Sequence, residues 1–278
     1  MQRSRAVLIT GCSSGIGRAI AERLARSGWR VYATARDVSS VDDLKSHGCK
    51  VQALDVSDLN SMRAAVTTIE ESEGSVGVLI NNAGFGLHGA VETTSLDDVR
   101  RQFETNFFGP ATLTQLVLPA MRRQGWGKLV NMSSMGGRLT LPGGAFYHAS
   151  KHAIEAFSDA LRLELRIFGI DVIVIEPGII KTQFGDTAVG TVDANETNGP
   201  YDLFNQKVML KIDAAYRNRM FGGPARPETV ARVVERAISS QRPRARYPVT
   251  MGARALMALR RVLPDRAFDS LVSRSYSL

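Results

Sequence analysis

The sequence predicts an α/β protein: one doubly wound domain in which a mainly parallel sheet is flanked by helices. Short apolar runs alternate with longer helical patterns from the first residues onward. A glycine-rich turn joins the first run to the first helix, and no break in composition divides the 278 residues. Strands separated by single helices with short connections favour right-handed crossovers, which place helices on both faces of a parallel sheet.

The elements follow the periodicity of the apolar residues. Apolar runs of four to six residues are typical of strands that are buried on both faces. Six strands are predicted at residues 6–9, 29–33, 51–54, 76–80, 128–132 and 171–176. Helices are predicted from residue 16 to Gly28, at 59–73, at 96–124 with a break or kink at Gly109-Pro110, and at 147–168 before Gly169.

Two segments depart from the regular alternation, although residues 1–278 are predicted to form a single domain. Residues 183–224 are polar and punctuated by glycine, with a helix expected at about 201–219. An insertion that follows the carboxyl end of a strand is a common place for a substrate lid. Residues 242–278 form a basic, partly amphipathic extension.

Composition excludes several classes of function. The net charge of +8 comes largely from arginines near the C-terminus, but no nucleic-acid-binding motif accompanies them. We therefore predict no nucleic-acid partner and interpret the charge as a solvated face or an attraction for an anionic cofactor or substrate. The two cysteines and four histidines lack the spacing of metal ligands. No apolar run is long enough for a signal peptide or a membrane span, so a cytoplasmic location is expected.

The turn after the first strand has the properties of a phosphate-binding loop. It reads Thr10-Gly11-Cys12-Ser13-Ser14-Gly15-Ile16-Gly17. Glycines let the backbone approach a pyrophosphate closely, and the helix N-terminus supplies free N–H groups and a favourable dipole. The loop therefore predicts a pyrophosphate-binding site at Gly11, Ser13, Ser14, Gly15, Ile16 and Gly17, and a tight turn without a ligand is the alternative.

Tyr147 and Lys151 have a spacing that suits a proton-transfer pair, although on any helix this spacing alone is a weak indication. An enzyme that moves a hydride to or from a substrate also needs a proton transfer at the substrate oxygen. Tyrosine alone is a poor base because its reference pKa is about 10. A nearby lysine ammonium stabilises the phenolate and lowers that pKa. Residues four apart on a helix lie on the same face, so the spacing of Tyr147 and Lys151 meets this requirement.

Four motifs in order make the chain resemble the short-chain dehydrogenase/reductase family. They are the TGxxxGxG loop at residues 10–17, NNAG at Asn81–Gly84, YxxxK at Tyr147–Lys151 and PG at Pro177-Gly178. The resemblance runs from Ala6 to at least Thr182. It implies a Rossmann-type fold, a nicotinamide cofactor and a dehydrogenase or carbonyl reductase activity on CH–OH groups.

The resemblance also implies roles for further residues. Ser134, thirteen positions before Tyr147, would hold the substrate oxygen, and Asn106 would anchor a water in the proton relay behind Lys151. Asp55 resembles the aspartate that recognises adenine, although a helix N-cap is a competing role. The remaining cofactor contacts implied by the resemblance are Val56, Asn82, Ala83, Gly84, Tyr147, Lys151, Pro177, Gly178, Ile180 and Thr182, the last binding the carboxamide.

The end of the second strand indicates which nicotinamide is bound. A carboxylate at this position accepts hydrogen bonds from a free ribose 2′-hydroxyl, whereas an arginine accommodates a 2′-phosphate. Here Ala35 occupies the position of the carboxylate, Arg36 follows it, and Asp37 lies one step too far along. Because a guanidinium binds phosphate well, NADP(H) is expected and NAD is the less favoured cofactor.

The substrate is less well determined by the sequence. The loop after NNAG resembles the hydroxysteroid and retinol dehydrogenase branch of the family, which implies a lipophilic ketone or secondary alcohol. Apolar candidates for its pocket are Met135, Leu139, Leu141, Phe146 and Phe184, with His88 beside them. The alternatives are a 3-oxoacyl thioester reductase and a non-enzymatic NADP-binding sensor. We also expect a homo-oligomer, dimer or tetramer. The extension is expected to cap the lid or to pack on a second subunit, and a peripheral membrane contact is the alternative.

Overall fold

Seven parallel strands form one sheet in the computed structural model, which describes residues 3–185, 190, 199–217 and 223–277. Their order across the sheet is β3-β2-β1-β4-β5-β6-β7. The strands are β1 (Ala6–Ile9), β2 (Arg30–Ala35), β3 (Lys50–Ala53), β4 (Val78–Asn81), β5 (Gly127–Met132), β6 (Ile170–Glu176) and β7 (Arg246–Pro248). The order reverses between β1 and β4, which creates a crevice at the carboxyl ends of these strands.

Helices cover both faces of the sheet. They are α1 (Gly15–Arg26), α2 (Leu59–Glu73), α3 (Leu96–Phe103), α4 (Gly109–Gln124), α5 (Ala145–Leu165), α6 (Asp202–Arg217), α7 (Pro227–Ser239), α8 (Met251–Val262) and α9 (Asp265–Tyr276). Short helical turns lie at Val38–His47, Glu104–Phe108, Met135–Gly137 and Arg166–Phe168. The predicted fold class, a doubly wound α/β domain, is confirmed.

Alternate side chains of each strand belong to two separate core layers. In β1, Val7 and Ile9 join one layer, which packs against α1 and α7. Ala6 and Leu8 point to the other, which packs against α2, α4 and α5. All four side chains are completely buried. This burial on both faces is the physical reason why the strands read as continuous apolar runs rather than as alternating patterns.

The structure differs from the sequence prediction at two places. The helix predicted at 96–124 contains a π-helical turn at Glu104–Phe108, which ends at Gly109 and positions Asn106. A Cβ at Gly109 would lie 2.4 Å from the carbonyl oxygen of Val56, so the close packing of this turn requires glycine. Strand β7 was not predicted, because Arg246–Pro248 is short and ends in proline; it pairs with Val174–Glu176 of β6.

The predicted lid and extension are partly covered by the described residues. Helix α6 occupies 202–217 of the helix expected at 201–219, and residues 186–189, 191–198 and 218–222 of the lid lie outside the described part of the chain. The extension supplies β7 to the sheet and then α8 and α9. No helix among the described residues combines the length and apolar character needed to cross a membrane.

Candidate active site

The glycine-rich loop between β1 and α1 is hydrogen-bonded to the loop that follows β4. The side-chain Nδ2 of Asn82 donates to the carbonyl oxygens of Thr10 (2.9 Å) and Gly11 (3.0 Å). The Thr10 hydroxyl accepts the backbone N–H groups of Asn82 and Ala83 at 3.0 and 2.9 Å. A Cβ on Gly17 would lie 2.2 Å from the Gly11 carbonyl oxygen. Glycine at position 17 therefore permits the contact between loop and helix.

The start of α1 offers an anion site at this loop. Ser14 is the N-cap residue, and its side chain makes no capping bond. Gly11 and Gly15 adopt positive φ angles of 72° and 58°, which turn the backbone so that the first amides of the helix open on the cleft. Free N–H groups at the positive end of a helix dipole suit a pyrophosphate. The residues present therefore fit the dinucleotide that the motif predicts.

The end of β2 carries a cation, and the carboxylate that follows it is exposed but already hydrogen-bonded. Arg36 is exposed and lines the cleft. The Asp37 carboxylate is used elsewhere, because it accepts the N–H (2.9 Å) and hydroxyl (2.7 Å) of Ser39 at the start of the following turn. This arrangement favours a ligand with negative charge beside Arg36.

Asp55 also lines the cleft, close to Arg36. Its carboxylate accepts the N–H (2.9 Å) and hydroxyl (2.6 Å) of Ser57. The N-cap of α2 is Asp58, which accepts the N–H of Asn60 at 2.8 Å. Burial raises the pKa of Asp55, but the Ser57 bonds and Arg36 outweigh burial, so that its pKa lies below its usual value. The competing N-cap role is thus filled by Asp58.

Ser134, Tyr147 and Lys151 converge at the carboxyl ends of β5 and the start of α5. The Ser134 hydroxyl accepts the N–H of Gly136 at 3.1 Å and lies close enough to Tyr147 to act on its pKa. The Lys151 ammonium donates to the carbonyl oxygen of Met132 at 2.9 Å and lies 5.9 Å from the centre of the Tyr147 ring. Tyr147 and Lys151 are 9% and 6% exposed. The cluster therefore joins a phenol, a hydroxyl and an ammonium on one wall of the cleft.

Burial dominates the proton affinities of this cluster. It raises the pKa of Tyr147 to about 12, against the lowering effect of the Ser134 hydrogen bond. It lowers the pKa of Lys151 to about 8, while the charge of Glu155 acts to raise it. In the protein alone, therefore, Tyr147 is a neutral phenol at pH 7. The lowering of its pKa that the sequence predicts from Lys151 is not found in the protein alone, where burial, opposed by Ser134, determines the pKa of Tyr147.

Asn106 lies behind the cluster and does not line the cleft. Its side-chain oxygen accepts the N–H of Phe85 at 3.1 Å, and its side-chain nitrogen donates to the Phe85 carbonyl (2.9 Å) and the Ser150 hydroxyl (3.1 Å). Only 1% of Asn106 is exposed. A Cβ on Gly84 would meet the side-chain oxygen of Asn106 at 2.9 Å and the Lys151 nitrogen at 3.6 Å. Asn106 therefore fixes the loop that separates it from Lys151.

These groups open on one cleft of about 780 Å³. Apart from Asn106 and Gly17, every residue that the sequence analysis assigned to catalysis or cofactor binding lines it. These are Gly11, Ser13, Ser14, Gly15, Ile16, Arg36, Asp55, Val56, Asn82, Ala83, Gly84, Ser134, Tyr147, Lys151, Pro177, Gly178, Ile180 and Thr182. The tertiary fold therefore brings the predicted residues together.

The other end of the cleft is largely apolar and aromatic. The predicted pocket residues Met135, Leu139, Leu141 and Phe184 line it, whereas Phe146 does not. The Tyr147 ring lies 5.5 to 5.6 Å from the rings of Phe184, His88 and His148. Both histidines are neutral at pH 7, because burial lowers the pKa of His88 to about 4 and that of His148 to about 3.

Sequence reasoning missed several lining residues that come from distant parts of the chain. Lys211 and Tyr216 reach the cleft from α6, and Tyr276 reaches it from α9. Helix α6 is held over the cleft because the Asn205 side chain accepts the N–H of Ala90 at 3.0 Å. No local motif marks these positions, so only the tertiary arrangement identifies them.

The fold and this site define an enzyme that interconverts alcohols and carbonyl compounds. The profile of the short chain dehydrogenase family matches residues 5–191. The chain therefore belongs to the short-chain dehydrogenase/reductase family, and the prediction from its motifs is confirmed.

Similar proteins of known sequence extend over most of the chain. The uncharacterized oxidoreductase YbbO of Escherichia coli strain K12 is 40% identical over 98% of this chain and 94% of its own. The NADPH-dependent 3-dehydrocapnine reductase of Ornithobacterium rhinotracheale is 33% identical over 96% and 95%. The 3-ketodihydrosphingosine reductase of Bacteroides thetaiotaomicron is 42% identical over 65% of each chain.

Solved structures share the whole fold. A short-chain dehydrogenase from Streptomyces avermitilis superposes with a TM-score of 0.82 at 32% identity over 99% of both chains. An actinorhodin polyketide ketoreductase variant with NADPH has a TM-score of 0.76 at 31% identity, over 91% of this chain and 98% of its own. A Burkholderia phymatum member in complex with NAD has a TM-score of 0.79 at 27% identity, over 94% and 95%.

Proposed function

We propose that this protein is an NADP(H)-dependent carbonyl reductase or alcohol dehydrogenase acting on a lipophilic ketone or secondary alcohol. The observation that carries the proposal is the convergence of Ser134, Tyr147 and Lys151 in a cleft with a dinucleotide-type loop at its other end. The nicotinamide would supply or accept the hydride. The chain's own residues would bind the substrate oxygen and move its proton.

In the reducing direction, Tyr147 is the proton donor. Its buried phenol stays protonated at pH 7, which is the state that a general acid requires. The Ser134 hydroxyl, which lines the same cleft as Tyr147, would hold the substrate oxygen beside the phenol. The Lys151 ammonium stabilises the phenolate that remains, since an opposite charge nearby favours the ionised form. Asn106 supports this side of the relay through the loop at Gly84 and Phe85.

The preference for NADP(H) rests on Arg36. Its exposed guanidinium lies at the cleft, and the neighbouring Asp37 carboxylate is engaged by Ser39. A guanidinium binds a 2′-phosphate through charge-assisted hydrogen bonds. The 3-dehydrocapnine reductase named as NADPH-dependent and the ketoreductase solved with NADPH support this choice. The relative solved with NAD leaves NAD as the less favoured cofactor.

The lipophilic substrate is inferred from the apolar end of the cleft. Leu139, Leu141, Phe184 and Ile212 surround the approach to Tyr147, and both neighbouring histidines are uncharged at pH 7. Relatives named as reductases of 3-ketodihydrosphingosine and 3-dehydrocapnine support a keto substrate. The resemblance to the hydroxysteroid and retinol branch points the same way.

NADPH oxidation tests the proposal. The purified protein is assayed with long-chain 3-ketones, steroid ketones and retinal, and in parallel with 3-oxoacyl thioesters. Preferred turnover of the lipophilic ketones, with NADPH favoured over NADH by at least about tenfold as one charge-assisted contact would give, supports the proposal. Activity confined to thioesters favours the alternative, a 3-oxoacyl thioester reductase. The similarity to the polyketide ketoreductase supports this alternative.

The remaining sequence predictions are kept as proposals. Exposed Leu163 of α5 and exposed Ile167 of the helical turn that follows it support a homo-oligomer. Exposed Met251 and Val262 on α8, with Arg254 and Arg261 beside them, support a peripheral membrane contact. A cytoplasmic location stays a prediction. NADPH binding without turnover of any ketone, alcohol or thioester would favour the NADP-binding sensor instead.

A further inference from the structure

A second cleft, of about 1200 Å³, lies at the amino-terminal ends of the strands, on the side of the sheet opposite to the active site. It is formed where the strands begin. Its walls are residues 3–5 before β1, the turns that lead into β2, β5 and β7, and the start of β6, together with the end of α5. Because all strands are parallel, their amino-terminal ends lie one strand length away from their carboxyl ends, where Tyr147 and the glycine loop are found.

The charged residues of this second cleft are almost all positive. Its cations are Arg3, Arg5, Lys128, Arg162, Arg166 and Arg242, and its sole acidic lining residue is Asp171. Cations that converge on a concave, low-dielectric surface focus a positive potential into it. The cleft therefore favours an anion.

Most of these cations lack carboxylate partners. Among the described residues, ion pairs join Lys128 to Asp171 at 3.6 Å and Arg162 to Asp159. No ion pair within the described ranges involves Arg3, Arg5, Arg166 or Arg242. Arg100, outside the cleft, has such a partner in Asp97 at 2.8 Å.

One cation of the second cleft is built into the fold. Lys128, the second residue of β5, is 3% exposed and donates to the carbonyl oxygen of Ser240 in the turn before β7. Burial lowers its pKa, against the effect of Asp171. A buried ammonium is costly unless it is paired, and here one half-exposed carboxylate at 3.6 Å is its only ion pair among the described residues. An anion bound in the cleft would complete its surroundings.

Both tryptophans of the chain also line this cleft. The Arg5 guanidinium lies 5.0 Å from the centre of the Trp29 ring, and this stacking holds the arginine at the rim. Trp126 lies in the turn that leads into β5. Neither tryptophan lines the active-site cleft. Tryptophan emission therefore reports on the second cleft alone.

We propose that this second cleft binds a phosphate-type polyanion, a small molecule with two or more negative charges, held by Arg5, Lys128, Arg166 and Arg242. The proposal is independent of the substrate and cofactor assigned to the active site. Arginine and lysine are the residues that bind phosphate groups.

The test is a tryptophan fluorescence titration of the full chain with inorganic pyrophosphate at constant ionic strength. A saturable change in emission is expected, unaffected by saturating NADP⁺. The double variant Arg5→Gln/Arg242→Gln should weaken binding by about tenfold or more, as expected for lost charge-assisted bonds. The control Arg100→Gln should bind pyrophosphate as the wild type does, and all three proteins should reduce ketones equally well.

Four results would overturn the proposal, three of them from the titration itself. They are the absence of a saturable change, an equal affinity in the double variant, and loss of the signal on addition of NADP⁺, which would place pyrophosphate in the cofactor loop. Binding of RNA without any binding of pyrophosphate would also overturn it, in favour of a nucleic-acid surface. Failure of the ketone assay alone leaves these results unaffected.

Discussion

At the scale of single residues, the surroundings of Tyr147 decide what it can do. Its ring is enclosed by Phe184 and by two histidines that carry no charge at pH 7. The Lys151 ammonium lies near the ring of Tyr147, and the Ser134 hydroxyl acts to lower the pKa of the Tyr147 phenol. A phenol in such a place holds its proton until a substrate oxygen takes it, and the adjacent ammonium then stabilises the phenolate.

Arg36→Ala tests the choice of cofactor. Removing a guanidinium from a phosphate costs about 1.5 to 3 kcal/mol, so we expect the KM for NADPH to rise about 10- to 100-fold while the KM for NADH changes less than about threefold. Arg30→Ala, at the other end of the same strand, is the matched control and should leave both constants unchanged. Equal losses with both cofactors would show that Arg36 does not bind the 2′-phosphate.

At the scale of elements, the contact between the glycine loop and α1 sets the depth of the cofactor cleft. Gly17 lies against the Gly11 carbonyl, and Asn82 ties that loop to the end of β4. One atom added at Gly17 would push the helix from the loop, because backbone rather than a flexible side chain is in the way. The anion site thus depends on close packing between two elements.

Gly17→Ala is expected to destabilise the protein by about 1 to 3 kcal/mol, the usual cost of overpacking, and to weaken NADPH binding at least about tenfold. Thermal unfolding and a binding titration measure the two effects. Gly199→Ala, where an added Cβ would meet nothing closer than 3.9 Å, is the control. Unchanged NADPH affinity in a stable Gly17→Ala protein would contradict this account of the loop.

A second contact between elements joins β7 to the neighbouring strand β6 and to α5, the helix that carries Lys151. Arg246 of β7 donates to Glu155 (2.9 Å) and Asp159 (2.7 Å) of α5 and lies 3.6 Å from Glu176 of β6. Burial and the charge of Glu155 raise the pKa of Glu176 to about 7, against the effects of Arg138 and Arg246. The unpredicted strand therefore compensates three carboxylates near the catalytic helix.

Glu176→Gln tests this cluster through its pH dependence. Because the folded-state pKa is above the usual 4.5, ionisation of Glu176 costs the wild type stability as pH rises from 4.5 through 7, whereas glutamine does not ionise. The free energy of unfolding of the variant, relative to that of the wild type, should therefore increase by about 1 to 3 kcal/mol as the pH is raised from 5 to 8. A flat difference between Glu176→Gln and the wild type over this pH range would refute the shift.

At the scale of the whole molecule, distant segments complete one cleft. The loops after β1, β2, β3, β4, β5 and β6 supply the dinucleotide side, while α6 and α9 supply residues to the substrate side. The C-terminal region thus contributes both a strand to the sheet and Tyr276 to the cleft. Two large apolar side chains remain exposed here, Leu163 of α5 (73%) and Ile167 of the helical turn that follows it (82%).

Ile167→Lys tests the proposed oligomer. Exposed apolar residues on a helix face mark subunit contacts, so light scattering should give the wild type a dimer or larger mass and the variant a smaller one. Leu59→Lys, a similar change at a partly exposed residue of α2, should keep the wild-type mass. A monomeric wild type would contradict the expectation directly.

The parts of the molecule that sequence could predict are those governed by local rules. The strands were predictable because burial on both faces gives continuous apolar runs, and Gly11, Gly17, Tyr147 and Lys151 because their spacing is imposed by a turn or a helix. Strand β7, the π-turn at Asn106 and the reach of Tyr276 depend on contacts between residues far apart in the chain. The pKa of Tyr147 likewise follows from burial, which spacing does not reveal.

The most direct test of the central claim is single-turnover reduction of a lipophilic ketone by Tyr147→Phe with bound NADPH. Loss of a general acid lowers rates about 10²- to 10⁴-fold, so we expect at least that loss, with NADPH affinity within about twofold of the wild type. The control Tyr201→Phe, which loses a hydrogen bond to Glu92 outside the cleft, should retain full activity. Reduction by Tyr147→Phe at a rate near that of the wild type would contradict the claim.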